Sequence, residues 1–402
     1  MGKRPPQEPH LRGCGSSSGP GRQSLRSVRG PLHCSARKRM EEVLGRPYRP
    51  QFFPPGRWKI TTASFAISWN SEGGDSSLGT PALRTHSMDR KMTNIQRADT
   101  LLSSALIYLI PLSFPMGYLV RHSMPALTWT ATPMLFTIMF CSTFGLTWQA
   151  FLHPKEHLRP LLLGLALQLT ALPLIALAVT HLSYPHHPLW RVGHLCVAAS
   201  PAAISTIIWS RISEGDVALG VLAVGAHVLL IPVAAPLILK LTVGKSVHVP
   251  LLPLAEKLFI AVLLPTILAL IAYHFYPTDR VKPAMGVTAK VGMLYMIVLN
   301  TSVAALNTPL NLQVLMVMGV MAIQVSLFYA TGNLAGWLLK VPPKSRITLT
   351  YYLGMKNNGA ALVMALAGFH PQATLPVALA IACQQPIASI IDRLWRHKYG
   401  EP

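Results

Sequence analysis

The stretch Gly354-Met355-Lys356-Asn357-Asn358-Gly359 lies between two apolar runs, residues 347–353 and 360–368. Runs and stretch together are long enough to cross a bilayer, for which about 20 residues suffice. A lipid interior has no water to satisfy a stray backbone group or an ammonium. Glycine and asparagine are weak helix formers, so the helix is expected to unwind here. Unwound backbone at membrane depth is tolerated only where it faces protein or a water-filled cavity. An ionisable side chain in such a place marks a functional site by default. The plainer alternative is a kinked structural helix whose lysine snorkels to the interface. Lys356 is too deep in the span for that.

The rest of the chain fits a membrane protein. Of 402 residues, 51 % are hydrophobic and 12 % charged, with a mean hydropathy of +0.40. A soluble domain carries about twice that share of charge. The basic balance is not a nucleic-acid footprint, and no nucleic-acid partner is expected. Residues 1–95 hold 16 of the 35 Lys and Arg, and much of the remainder falls in short joints. The five cysteines show no paired spacing and no matching histidines, so neither a disulfide framework nor a zinc site is indicated. No cofactor is expected.

Residues 1–95 lack periodicity and are rich in Arg, Pro, Ser and Gly. Three readings fit them. One is a start placed too far upstream, with Met88 or Met92 as the true one. Another is an organellar transit peptide, since residues 1–39 are rich in Arg and Ser and hold one acid, Glu8. The third is a basic tail that touches anionic lipid. The expected division is a disordered basic extension over 1–95 and a ten-span domain over 96–402.

From residue 100 onward, apolar runs alternate with short polar joints. Ten spans are expected: 100–120, 126–148, 158–182, 189–212, 216–241, 251–275, 282–306, 310–339, 345–369 and 373–395. With the N-terminus inside, the inner joints hold eight Lys and Arg and the outer joints four. The positive-inside rule then puts both termini in the cytoplasm, and a bacterial inner membrane is the expected location. Span 4 has a break at Ser200-Pro201-Ala202-Ala203 and span 9 at Asn357-Asn358-Gly359. Pro201 and Asn357 are 156 residues apart, as are Gln168 and Gln324. Five spans per half is an odd number, so two such halves insert upside down relative to each other. Broken helices at matching places in inverted repeats point to a transport site. Against this stands a simple kink at Pro201, since proline is common in membrane spans.

Several motifs resemble one family. Ile138-Met139-Phe140 with Gly145-Leu146-Thr147 resembles span 2 of the bile acid:sodium symporters. Gln168-Leu169-Thr170-Ala171-Leu172-Pro173 resembles their span 3. Ser200-Pro201 through Glu214-Gly215-Asp216-Val217-Ala218-Leu219 resembles their broken span 4. Gly354 through Leu362 resembles the Gly-Met-Gln-Asn-Ser/Thr-Gly of their span 9. The resemblance covers about residues 100–395. It implies an all-α membrane protein of ten transmembrane helices in two inverted five-helix repeats. Helices 4 and 9 are broken and crossing, in a core domain packed on a panel domain. It implies sodium-coupled uptake of organic anions near the crossing.

The chain departs from this family at the ions. The family's sodium-binding Glu falls on Tyr352, and the Gln after Met falls on Lys356. A Ser-Asn pair of span 4 falls on Thr206-Ile207, and the span 5 ligands on Gly220 and Val224. Gln168, Thr206 and some backbone carbonyls are the oxygen ligands left, whereas a hard cation needs a cage of several. Sodium is therefore a doubtful partner, and sodium-independent or proton-coupled transport of a small organic anion is the expectation. Lys356 is the expected anion-binding charge, with Asn357, Asn358, Ser205, Thr206, Gln168, Gln384 and Gln385 around it. Tyr352 completes the set, and His227 is a second candidate for proton coupling. A lone helical histidine is more often just hydrogen-bonded. Glu256-Lys257, Lys290 and Trp148, Trp190, Trp209 and Trp337 are read as interfacial residues.

Three other classes of function compete. An enzyme is not expected, because no His-Glu-x-x-His, paired aspartates or Ser/His arrangement is visible. An arsenite-exporter-like efflux protein would have Cys just after the proline of span 4, where this chain has Ala202. A non-transporting sensor of the same family has the same sequence features. A chain begun at Met88 is expected to insert and transport like the full chain. Loss of insertion on membrane fractionation would instead give the first 87 residues a targeting role.

Overall fold

The computed structural model describes residues 94–146, 157–243, 247–308 and 311–399. The expected N-terminal extension lies outside them, apart from its last two residues. Among the described residues the chain is helical, with no strand. The helices are α1 (Asn94–Leu119), α2 (Ala131–Thr143), α3 (Leu158–Leu169), α4 (Ala171–Ser183), α5 (Pro188–Ala199), α6 (Ser205–Ile212) and α7 (Val217–Val243). They continue with α8 (Leu251–Leu258), α9 (Leu264–Phe275), α10 (Lys282–Asn307), α11 (Leu312–Leu338), α12 (Pro343–Gly354), α13 (Asn358–Gly368) and α14 (Thr374–Tyr399).

Seven of the resulting segments are long and apolar enough to cross a membrane, or eight if the bent pair in α1 counts as one span. They bear large exposed side chains such as Leu174, Leu182, Leu229, Val233, Leu252 and Leu312. On a water-soluble surface these would be a liability; here they are the side that meets lipid. The expected spans 189–212 and 345–369 are absent from the seven because each is interrupted, as α5 and α6 and as α12 and α13. Every segment read from hydropathy is thus covered by a helix or a helix pair in its described part.

The interruptions follow from local chemistry. Proline lacks a donor and disfavours helix in the residue before it. Ser200 is accordingly extended (φ −68°, ψ 153°), and its hydroxyl donates to Val197 O at 2.8 Å, closing the end of α5. Met355 is also extended (φ −89°, ψ 107°) where α12 stops. Asn357 then starts α13, its Oδ1 accepting from Ala360 N at 3.1 Å. This is an N-cap, the role asparagine fills best.

Two of the residues expected at the interface are found elsewhere. Trp209 is buried and donates to Gln385 Oε1 at 3.0 Å. Trp190 is buried against Tyr184, ring edge to face. Trp337 is 61 % exposed, as a belt residue should be. Lys290 pairs with Asp99 at 2.6 Å and fastens α10 to α1.

Helix α11 packs along α12 through glycines. A Cβ at Gly332 would fall 2.5 Å from Leu349 O, and one at Gly354 would fall 2.2 Å from the Tyr329 ring. Small residues let membrane helices approach where no hydrophobic force drives them together. Gly332→Ala is expected to destabilise the fold by about 1–3 kcal/mol, read as a lower melting temperature in detergent. Gly319→Ala, on the same helix with nothing within 4 Å, is the control and should not lower it.

Candidate functional site

The two interruptions meet. Ala203 N donates to Met355 O at 3.0 Å, and Asn357 N donates to Pro201 O at 2.8 Å. Together they form an antiparallel bridge between Ala202 and Lys356. Backbone groups freed by each break are thereby satisfied by the other, deep in the protein. Pro201 and Asn357, matched by their 156-residue offset, are direct partners. The second matched pair behaves differently. Gln168 donates to Ala198 O at 3.1 Å and Gln324 donates to His194 O at 3.2 Å, so both reach the same helix, α5.

Lys356 is 1 % exposed. Its ammonium donates to Gln168 Oε1 and lies 5.5 Å from the centre of the Phe328 ring, within cation–π range. The described acids are Asp99, Glu214, Asp216, Glu256, Asp279 and Asp392, and none of them forms an ion pair with it. Burying a charge without a counter-charge is costly. Part of the compensation is dipolar. Lys356 lies two residues beyond the C-terminal end of α12, and Gln168 ties it to a carbonyl in the last turn of α5. Helix C-termini carry partial negative charge and favour cations.

Gln384 clamps the second break from α14. Its Nε2 donates to Lys356 O at 3.0 Å, and its Oε1 accepts from Asn358 Nδ2 at 2.7 Å. Gln385 points elsewhere, to Trp209. Asn357 reaches Met139 Sδ with its amide at 3.2 Å. Ser205 reaches Met355 Sδ at 3.5 Å. His227 accepts from Ala202 N at 3.2 Å through Nδ1, and its ring meets that of Tyr352 edge to face, centres 6.0 Å apart. Four buried polar atoms near the breaks have no hydrogen-bond partner: Thr206 Oγ1, His227 Nε2, Tyr352 OH and Asn358 Oδ1. All ten expected residues thus fall on the two breaks or on the helices against them. They form no single shell, because Gln385 and Ser205 are turned into neighbouring contacts.

Two clusters escaped sequence reading. His194 shares its ring nitrogens between Tyr184 OH and Gln324 Oε1. Asp216 gathers His157, Ser345 and the Leu219 N–H at 3.0 Å each. Only the Gly-Asp joint before α7 hinted at the second, and nothing linear hinted at the first.

These features define a multi-pass membrane transporter built around two interrupted helices. The comparisons then name its kin. Residues 132–308 match the Sodium Bile acid symporter family, a match that includes the first break and stops before the second. The chain is 27 % identical over 290 residues to the uncharacterized protein YbaS of Bacillus subtilis, covering 70 % of this chain and 94 % of that one. It is 26 % identical over 307 residues to the probable sodium/metabolite cotransporter BASS2, chloroplastic, of Oryza sativa, covering 73 % and 71 %. It is 28 % identical over 284 residues to the uncharacterized sodium-dependent transporter YocS of Bacillus subtilis, covering 69 % and 87 %. Over residues 132–308 the chain is thus similar to the sodium bile acid symporters, the resemblance its motifs carry.

If Lys356 and Gln168 are a buried pair, their losses will not add. Gln168→Leu alone strands the ammonium and should lower stability by about 3 kcal/mol or more. Lys356→Met alone strands an amide oxygen, at about 1–3 kcal/mol. The double variant should be clearly more stable than the sum predicts, measured by denaturation in detergent. Simple additivity would mean that the contact carries no energy.

Proposed function

We propose that this chain is a secondary transporter of small organic anions that does not use sodium. In this reading the Lys356 ammonium stands where the family holds a coupling cation. The observation that carries it is the bond from Lys356 to Gln168, the main side-chain oxygen left at the family's ion positions. The other positions supply little. Ile207 packs against Gly220, its Cα and Cγ1 each 3.8 Å from where a Gly220 Cβ would be, so apolar carbon fills that space. A cation would meet Tyr352, Val224 and a fixed positive charge, and like charges at an intermediate dielectric repel by several kcal/mol.

An anionic substrate would find complementary groups at the same place. The N-terminal ends of α6 and α13 add partial positive charge, and the Asn357 and Asn358 amides add donors. A cavity of about 30 Å³ lies beside the breaks, lined by residues including Met139, Ile204, Val224 and Thr266. That volume holds water, not an organic anion. In this reading, substrate enters when the core and the helices against it move apart, as in alternating access. We assign the chain ten spans in two inverted halves, with α1, α2, α8, α9 and α10 as a panel against the remaining core. The excess of basic residues at one set of joints puts both termini in the cytoplasm, and the Bacillus relatives favour a bacterial inner membrane.

Uptake into proteoliposomes should be unchanged when choline replaces sodium at constant chloride; a steep, saturable sodium dependence would overturn the reading. Lys356→Met should weaken anion binding tenfold to a hundredfold, roughly 2–3 kcal/mol, while the protein still inserts. Lys356→Gln should weaken it too, without creating sodium dependence while Tyr352 stands in place of the Glu. Counterflow in the same vesicles separates a transporter from a binding protein that does not transport.

A further inference from the structure

Asp216 is the meeting point of three joints that lie far apart in the chain. Its Oδ2 takes His157 Nδ1 and the Ser345 hydroxyl, each at 3.0 Å, and its Oδ1 accepts from Leu219 N at 3.0 Å, capping α7. Its backbone is used as well. The N–H donates to Lys344 O at 3.1 Å, and the C=O accepts from the Thr348 hydroxyl at 2.9 Å. His157 immediately precedes α3, and Ser345 lies in the first turn of α12. Eleven residues beyond His157 stands Gln168, and eleven beyond Ser345 stands Lys356. Those two are also bonded to each other. The two segments therefore run side by side in one direction, tied at both ends, with about 16 Å of helix between the ties. Between them the contact is close: a Cβ at Gly164 would fall 2.9 Å from Leu349 Cδ2 and 3.1 Å from the Tyr352 ring.

In a close-packed pair of segments, a tie at one end sets the register at the other. The end at Asp216 is within reach of water. The His157 and Asp216 side chains are 21 % and 15 % exposed, whereas Lys356 is 1 % exposed. Histidine is the side chain that changes charge near neutral pH. When charged it adds an ion pair to its hydrogen bond with a carboxylate; when neutral it leaves the hydrogen bond alone. The tie is thus tighter at low pH and looser at high pH. Of the other charged groups on the elements that meet here, Arg159, Arg211, Glu214, Lys340 and Lys344 are exposed. Arg159 turns to Leu339 O, Arg346 stacks on Trp395, and Asp392 is engaged by Ser213 and Arg396. We propose that His157 and Asp216 are positioning residues for the buried site. They hold α3 on α12 so that Gln168 faces Lys356, and pH at the water-facing end tunes that hold. The inference rests on the reading of Lys356 as the group that meets substrate, which must displace Gln168 from it.

The test uses the purified full chain in detergent and an amine-reactive label. Mass spectrometry reads the labelling of Lys356 relative to the exposed Lys257. Variants are compared at one pH at a time, so the reagent's own pH dependence cancels. At about pH 5.5 the parent should match His157→Arg, which is a cation throughout, and its Lys356 should label about fivefold less than in His157→Gln. At about pH 8 the parent should match His157→Gln and label about fivefold more than His157→Arg. Asp216→Asn keeps an acceptor for the α7 cap and should label like His157→Gln at both. A variant that merely damaged the fold would not trade places with the parent between the two conditions. Equal labelling of parent and variants at each pH would overturn the proposal, as would a difference that is the same at both. Labelling involves neither substrate nor sodium. Uptake can therefore fail the choline experiment while the trade of places persists, and the reverse.

Discussion

The structure depends on the exchange of two hydrogen bonds between broken helices. Inside a bilayer every backbone N–H and C=O must find a partner within the protein. A helix interrupted there leaves several of them open, and a single interrupted helix would have nowhere to turn. Here Ala203 and Asn357 donate across to Met355 and Pro201, and each break becomes the other's solvent. His227 and Gln384 then reach in from α7 and α14 to take what remains. Each break therefore supplies hydrogen-bond partners that the other needs.

That arrangement fixes the electrostatics of the site. Two helix ends with partial negative charge and two with partial positive charge converge on one small region. Around it this chain has Ile207, Gly220 and Val224, which carry no side-chain oxygen, and the Lys356 amine. The bond from Lys356 to Gln168 puts a basic group near an amide oxygen, covalently attached to the chain. A tethered charge cannot be carried across with the substrate, which is a physical difference from a coupling ion and not one of degree.

Much of this was legible in the linear sequence. Hydropathy placed the segments, because membrane burial selects apolar residues over whole spans. The breaks were legible because Pro201 and the Asn357-Asn358-Gly359 run oppose helix formation by local chemistry alone. The 156-residue offset was half informative. Pro201 and Asn357, which share it, bond to each other, yet Gln168 and Gln324, which also share it, have unlike partners. Offset reports chain position, whereas a side chain's partner depends on which helix happens to face it. Trp209 shows the same limit, for an indole suited to an interface is bound to Gln385 inside the protein.

The sequence by itself determined a helical membrane protein with two interrupted spans, and a lysine within the second interruption. Those properties follow from composition, spacing and backbone preference, which act locally. Only the tertiary structure decided that the interruptions bond to each other, that Lys356 turns to Gln168, and that His227 and Tyr352 are left with unpaired polar ends. These are outcomes of packing among helices far apart in the chain. Each side chain has several candidate partners in sequence, and close-packing in three dimensions leaves it one or none.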